Sequence, residues 1–529
     1  VKIAQFTPAQ AFFYPRHPIK LKFILAADQT GKVVLRVNVS QLAVDVMVLE
    51  QELTLKPGEN IVNLLVPSPS DTPQSYGLCA VLYDQNGQMK DLSFSAVDTL
   101  MHWTDFPRYG FLTDFSPDRT DIDTALDTLM AYHINGLQFY DWQYRHDTLI
   151  PPQDDFTDPL GRSLSIKTVR NLLAAAHSRR MAAMPYLAVY AASLSFWESH
   201  PRWQLFDEQD QPLKFEDFLG LMNPAPASPW VNYLAQQCED VLSQISFDGL
   251  HVDQYGKPKT AFDSEGKAVN IPQAFKAFIN RLKSTFPTKS VVFNAVGNWP
   301  IDEIASAQVD FVYIEIWPPD CAFQDLQRIV TEAREKSGNK PVVIALYLPA
   351  DQLVNIRIAN AVIIASGGSR IELGENGRLL ADPYFPKHET RSPELVEVMK
   401  KYQDFLVRYG QLLGPMAVTE TESGIALPPD TLGTLRKNEN WWAVNVINLA
   451  GLEAPRWDKA QPAPTPRVDF PFTLPMSKKP KEIWVASPDA ATPEMEPLPF
   501  IFNRGNLIIR LPKLVYWSMI LIQFENKDL

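Results

Sequence analysis

From residue 105 to residue 413 the chain alternates short apolar strands with amphipathic helices, and this alternation constrains its fold more than any other feature. Eight strand–helix units fit into about 305 residues, the count and length of a closed parallel barrel. The expected strands are residues 109–114, 137–140, 182–189, 249–253, 291–294, 311–315 and 342–348. The eighth is drawn from residues 361–365 together with Ile371-Glu372-Leu373. Helices are expected at residues 166–180, 230–245, 271–286 and 323–336. Another follows the first strand, with Thr120 or Asp121 as N-cap and Ile122, Leu126, Leu129 and Met130 as its apolar face. Residues 141–162, rich in Pro, Asp and Tyr, read as a rim loop.

A barrel uses little more than half of 529 residues. Residues 1–104 read as strands at 21–26, 33–39, 44–48, 61–66 and 76–83, the last entering the hairpin signal Asn86-Gly87. Turn signals every ten to fifteen residues fit an immunoglobulin-like sandwich. Residues 414–529 return to strands, at 442–449, 482–486, 507–511 and 515–524, interrupted by a Pro-rich stretch at 455–475. The expected fold is multidomain: a central (β/α)8 TIM barrel at 105–413, an N-terminal immunoglobulin-like β-sandwich at 1–104, and a C-terminal antiparallel β-sandwich at 414–529.

Composition excludes several partners. A net charge of −12 with no basic stripe argues against nucleic acid and suits a neutral substrate. The longest apolar run, residues 515–522, is too short to span a bilayer, so no membrane partner is expected. Cys79, Cys238 and Cys321 have neither CxxC spacing nor histidine neighbours, which argues against zinc and against a disulfide framework. No glycine-rich phosphate loop or dense acidic loop is visible, so neither cofactor nor metal is expected.

Chemistry is expected where carboxylates close barrel strands, at the C-terminal rim. Asp253 ends Phe247-Asp248-Gly249-Leu250-His251-Val252-Asp253, and Glu315 ends Phe311-Val312-Tyr313-Ile314-Glu315. Two carboxyls facing one pocket are the minimal apparatus for breaking a glycosidic bond. One must be ionised to attack; the other must hold a proton for the leaving oxygen. Glu315 lies between Tyr313, Ile316 and Trp317, an apolar setting that suits a proton donor. Asp253 has His251 and Gln254 beside it, a polar setting that suits a nucleophile, although composition alone leaves the roles exchangeable. His251 points to the same face as Asp253, one layer down, either to orient it or as a core histidine. Trp317 before Pro318-Pro319 makes a rigid aromatic wall for a sugar ring, or a loop anchor. Asp114, Tyr140, Asp141, Tyr190, Asn294 and Glu372 also end or follow strands and are candidates to hold sugar hydroxyls, each alternatively a loop brace. The run Gln138-Phe139-Tyr140-Asp141-Trp142-Gln143-Tyr144-Arg145-His146 is dense in such groups.

Several of these motifs together resemble glycoside hydrolase family 66, the endo-dextranases and cycloisomaltooligosaccharide glucanotransferases. The resemblance is carried by Tyr109-Gly110-Phe111-Leu112-Thr113-Asp114-Phe115, Gln138-Phe139-Tyr140-Asp141-Trp142, Tyr144-Arg145-His146, Phe247-Asp248-Gly249 with Asp253, Glu315-Ile316-Trp317-Pro318, Ile371-Glu372-Leu373-Gly374-Glu375 and Tyr384-Phe385-Pro386. It implies retaining hydrolysis of α-1,6-linked glucan, most like a dextranase, with Asp253 at the family's nucleophile and Glu315 at its acid/base. The implied partners are dextran and isomaltooligosaccharides. The expected state is a monomer, secreted or at the cell surface, though the first residues carry no signal-peptide pattern. Arg370 and Lys387 depart from the histidine and asparagine expected there, which touches subsite detail. About a dozen residues separate Leu348 from Ala361, too few for the binding module that cyclising members insert, which favours hydrolysis. The alternatives are a transglycosylase using the same site and a catalytically weak glucan-binding protein.

Overall fold

The structure is a computed structural model that describes residues 1–420, 424–438 and 440–525. Its centre is an eight-stranded parallel sheet whose strands neighbour one another in chain order. They are Tyr109–Leu112, Gly136–Phe139, Ala182–Ala188, Gly249–Asp253, Ser290–Val296, Val312–Glu315, Val342–Ala345 and Gly368–Ile371. The first and last meet where Phe111 pairs in parallel with Gly374 and donates its N–H to the Leu373 carbonyl at 3.0 Å. Every strand residue is buried except Asp253 and Val296, both at C-terminal ends. Strands covered by helices outside and packed side chains inside have no face left for water, so they read as apolar runs rather than alternations.

Aromatic rings fill the barrel below its rim. Tyr109 stacks on His251 at 5.8 Å and meets Phe311 and Tyr313 edge-on, while Trp103 packs under Tyr109 and Phe311. A side chain at Gly136 would strike the Trp103 ring at 2.3 Å, and one at Gly249 would lie 2.0 Å from the Ser290 carbonyl. Gly249 therefore lets the fourth strand draw close to the fifth, which fixes the height at which Asp253 emerges.

The eighth strand corrects the sequence reading. Residues 361–365 belong to the helix Leu353–Ala365, and the strand is Gly368–Ile371. From Asn355 on, almost every residue of that helix is buried, because the C-terminal domain covers the side that the barrel does not. A helix apolar all round has no 3.6-residue stripe and cannot be told from a buried strand by period.

Before the barrel, strands Lys2–Pro8, Ile19–Ala27 and Gly58–Val66 form one sheet. Val44–Leu55, Gly31–Gln41, Gln74–Asp84 and Met89–Thr99 form a second, and the two enclose a core of Phe23, Leu25, Leu35, Val37, Leu78 and Leu82. After the barrel, a six-stranded sheet centred on Trp441–Asn448 and Trp517–Gln523 packs on a three-stranded one. Part of the Pro-rich stretch is itself a strand, Arg467–Pro475, paired with Asn506–Leu514. Buried arginines tie the parts together: Arg108 forks onto Asp98 at 2.7 and 3.1 Å, and Arg436 donates to the Leu412 and Ser366 carbonyls.

Candidate active site

A cavity of about 660 Å³ opens at the C-terminal ends of the strands. Tyr140, Asp141, Tyr190, His251, Asp253, Asn294, Glu315 and Trp317, all expected from the sequence, line it. The two strand-end carboxyls meet through one side chain. The Asn294 amide nitrogen donates to Asp253 Oδ1 at 2.9 Å and to Glu315 Oε2 at 2.7 Å. Reached from one nitrogen at those two distances, the oxygens stand at most about 5.6 Å apart. Parallel register sets this up: Val252 pairs with Phe293, which leaves Asp253 beside Asn294, and Glu315 pairs with Val296, two residues further along the same fifth strand.

Each carboxyl is held on both oxygens. Asp253 Oδ1 also accepts the Gln254 main-chain N–H at 2.8 Å, and Oδ2 accepts the Tyr186 hydroxyl at 2.9 Å. Glu315 Oε1 accepts the Trp317 indole N–H at 2.8 Å. Burial raises the pKa of both groups. Asp253 is pushed up to about 7, by burial first and by the Glu315 charge second, against the pull of its donors. The polar setting read from its sequence neighbours is therefore outweighed by burial and by the Glu315 charge. Two carboxyls this close lose their protons as a pair, and the value near 7 belongs to the second loss.

His251 does not orient Asp253. Its Nδ1 faces the Tyr109 hydroxyl at 3.2 Å, burial pushes its pKa down to about 3, and the neutral ring is part of the cavity floor. Tyr140 stacks on Phe385 at 4.4 Å, with Tyr384 edge-on, making one aromatic wall. Trp317, 37% exposed, leans on Tyr347 at 5.7 Å to make another. Asp141 is pushed up to about 6 by burial despite Arg162, which donates to its carbonyl at 3.0 Å and to the Asp158 carboxylate at 2.7 Å. Gln138 Oε1, Gln143 Oε1 and Asn294 Oδ1 are buried acceptors on this lining with no protein donor among the described residues. A ligand rich in hydroxyls supplies what such acceptors lack.

Two candidates lie elsewhere. Asp114 is turned to the Ser116 N–H and toward Arg378, at 3.8 Å, outside the cavity. Glu372 is 1% exposed and paired with buried Arg370 at 3.0 Å, with Asn360 and Gln403 donating to it as well. It follows the last strand but turns outward, under the helices. Glu372→Ala should therefore cost about 3–5 kcal/mol of stability by stranding a buried guanidinium. A thermal melt checks this; normal melting with lost activity would return Glu372 to the cleft. The sequence reading missed Tyr186 and Tyr347, which line the cavity. Tyr186 stands beside His251 in the register, and that inward position was the available signal.

The sequence matches the profile of glycosyl hydrolase family 66 over residues 9–521. The chain belongs to that family. A cycloisomaltooligosaccharide glucanotransferase from Niallia circulans is 30% identical over 282 residues, 48% of this chain and 29% of its own length. The chain thus spans less than a third of that relative. A dextranase from Streptococcus salivarius is 23% identical over 594 residues, covering 90% of this chain and 71% of its own. The fold superposes on a Paenibacillus cycloisomaltooligosaccharide glucanotransferase complexed with cycloisomaltoheptaose, with a TM-score of 0.90 and 22% identity over 98% of this chain and 99% of that one. At this identity the likeness speaks for the family 66 fold, barrel and flanking β-sheets together.

Proposed function

We propose that this chain is a retaining endo-glycoside hydrolase cleaving α-1,6-glucosidic bonds of dextran. The observation that carries the mechanism is the shared Asn294 amide, which holds one oxygen of each carboxyl within about 5.6 Å of the other. Retaining enzymes need about 5–5.5 Å, whereas inverting ones leave about 6.5–9.5 Å for a water. Asp253, short and pinned on both oxygens, attacks the anomeric carbon as that carbon gains positive charge. The same developing charge favours ionised Asp253 and leaves the pair's proton on Glu315. Glu315 gives that proton to the leaving oxygen as the C1–O bond breaks, then takes one from the water that hydrolyses the glycosyl ester. The Tyr140 and Trp317 walls offer apolar ring faces, and the unpaired amide oxygens accept hydroxyls. The linkage is supported by the dextranase and glucanotransferase names of the relatives. A polymer that does not cross a bilayer places the proposed activity outside the cell or at its surface.

Incubation with dextran should give a fast fall in viscosity, linear isomaltooligosaccharides, and first products in the α-anomeric form by NMR. First products in the β form would remove the retaining mechanism. Intact dextran alongside another digested α-glucan would remove the linkage, and cyclic products would replace hydrolysis by transfer.

A further inference from the structure

Glu315 is not held by the barrel alone. Its partner Trp317 rides on the loop that follows the sixth strand, and that loop turns where the Asp320 N–H donates to the Trp317 carbonyl at 3.2 Å. The Asp320 carbonyl in turn accepts the indole N–H of Trp457 at 2.8 Å. Trp457 lies beyond the barrel in the sequence, in the Pro-rich segment, and does not line the cavity. That segment runs antiparallel to the loop. Ala322 bridges Arg456, the Trp457 N–H donates to the Cys321 carbonyl at 2.9 Å, and the Phe323 N–H donates to the Pro455 carbonyl at 2.9 Å. From behind, Asn355 of the helix Leu353–Ala365 donates to the Trp457 and Lys459 carbonyls at 2.8 and 2.6 Å and accepts the Gln461 N–H at 3.0 Å. Trp457 itself is only 6% exposed.

We infer that Trp457 is a positioning residue for the proton-donating step. It fixes the Asp320 turn, the turn fixes Trp317, and the Trp317 indole fixes Glu315 Oε1. The inference rests on the acid/base role proposed above for Glu315. Trp317 is half-exposed and has to present a face to the sugar while its N–H stays on the carboxyl. A loop free to drift by an ångström would lose one or the other, and misplacement on that scale costs about 100-fold in rate. The C-terminal segment is thereby part of the catalytic assembly as well as a cover for the barrel helices.

The test compares two substrates. Dextran has a poor leaving group and needs the proton; a 2,4-dinitrophenyl isomaltoside releases a phenolate that needs none. Glu315→Gln is the reference: it should lose dextran cleavage and keep pre-steady-state release of dinitrophenolate. Trp457→Phe keeps the packing and drops the N–H. It should lower kcat on dextran about tenfold, with little change in KM and dinitrophenolate release within about twofold of wild type. Equal loss on both substrates, or wild-type rates on both, overturns the inference. If Glu315→Gln itself shows no dependence on the leaving group, the acid/base reading has failed instead. Should Trp457→Phe not fold, Asn355→Ala loosens the same strut from the barrel side and is judged by the same two outcomes.

Discussion

Glu315→Ala and Asp253→Ala should each lower dextran hydrolysis by about three to five powers of ten while the protein melts as a folded chain. The size follows from the step each removes. Without Asp253 there is no covalent intermediate, and the cavity retains only binding and orientation. Without Glu315 the leaving alkoxide must depart unprotonated and the attacking water keeps its proton, two losses of about 10²–10⁴ in one residue. Azide separates the roles. In Asp253→Ala it fills the space of the carboxylate and attacks the α-glucoside directly, giving a β-glycosyl azide. In Glu315→Ala Asp253 still forms the β-linked glycosyl ester, and azide displaces it to give the α-azide. NMR of the two products assigns the residues independently of rate. The opposite pair of anomers would exchange the roles, and rates within tenfold of wild type would remove both residues from the chemistry.

What could be read beforehand followed from burial. Seven barrel strands were legible because strands buried on both faces are apolar throughout and short, bounded by helices with clear stripes such as Phe323–Lys336. The helix Leu353–Ala365 was not legible, because its second face is covered by another domain and the stripe that marks a helix disappears. At the site, Asp253, Asn294 and Glu315 were legible as polar residues closing apolar strands. Asp114 and Glu372 carry the same signal and point elsewhere: position after a strand does not say which way a side chain turns once the strand has ended. Glu372 has a buried arginine two residues before it, and pairing with that charge outweighs exposure to the cleft. The raised pKa of Asp253 was not legible for a related reason. Its sequence neighbours are polar, but its burial is made by residues of other strands and the Glu315 charge comes from two strands away, and neither is visible in a local window.

Asn294→Ala should be the most damaging change to a group that neither attacks nor donates a proton to substrate. Its amide nitrogen makes the hydrogen bonds common to both carboxyls. Hydrogen bonds to charged groups contribute about 1.5–3 kcal/mol each, so losing both should cost about two to four powers of ten in kcat/KM. The loss has a signature in pH. Asn294 is among the donors holding down both raised pKa values, and it favours the ionised form of each carboxyl. Removing it raises both. Activity needs one proton on the pair, so the rate profile is a bell whose alkaline limb falls as the second proton leaves, near pH 7 in the wild type. In Asn294→Ala both limbs should move to higher pH. The carboxyls keep their protons more tightly, and Asp253 ionises later. A variant that merely loosened the fold would lower the bell without displacing it. Measuring kcat/KM from pH 4 to 9 on dextran distinguishes the two, and an unmoved or acid-shifted bell would show that the amide does not couple the pair.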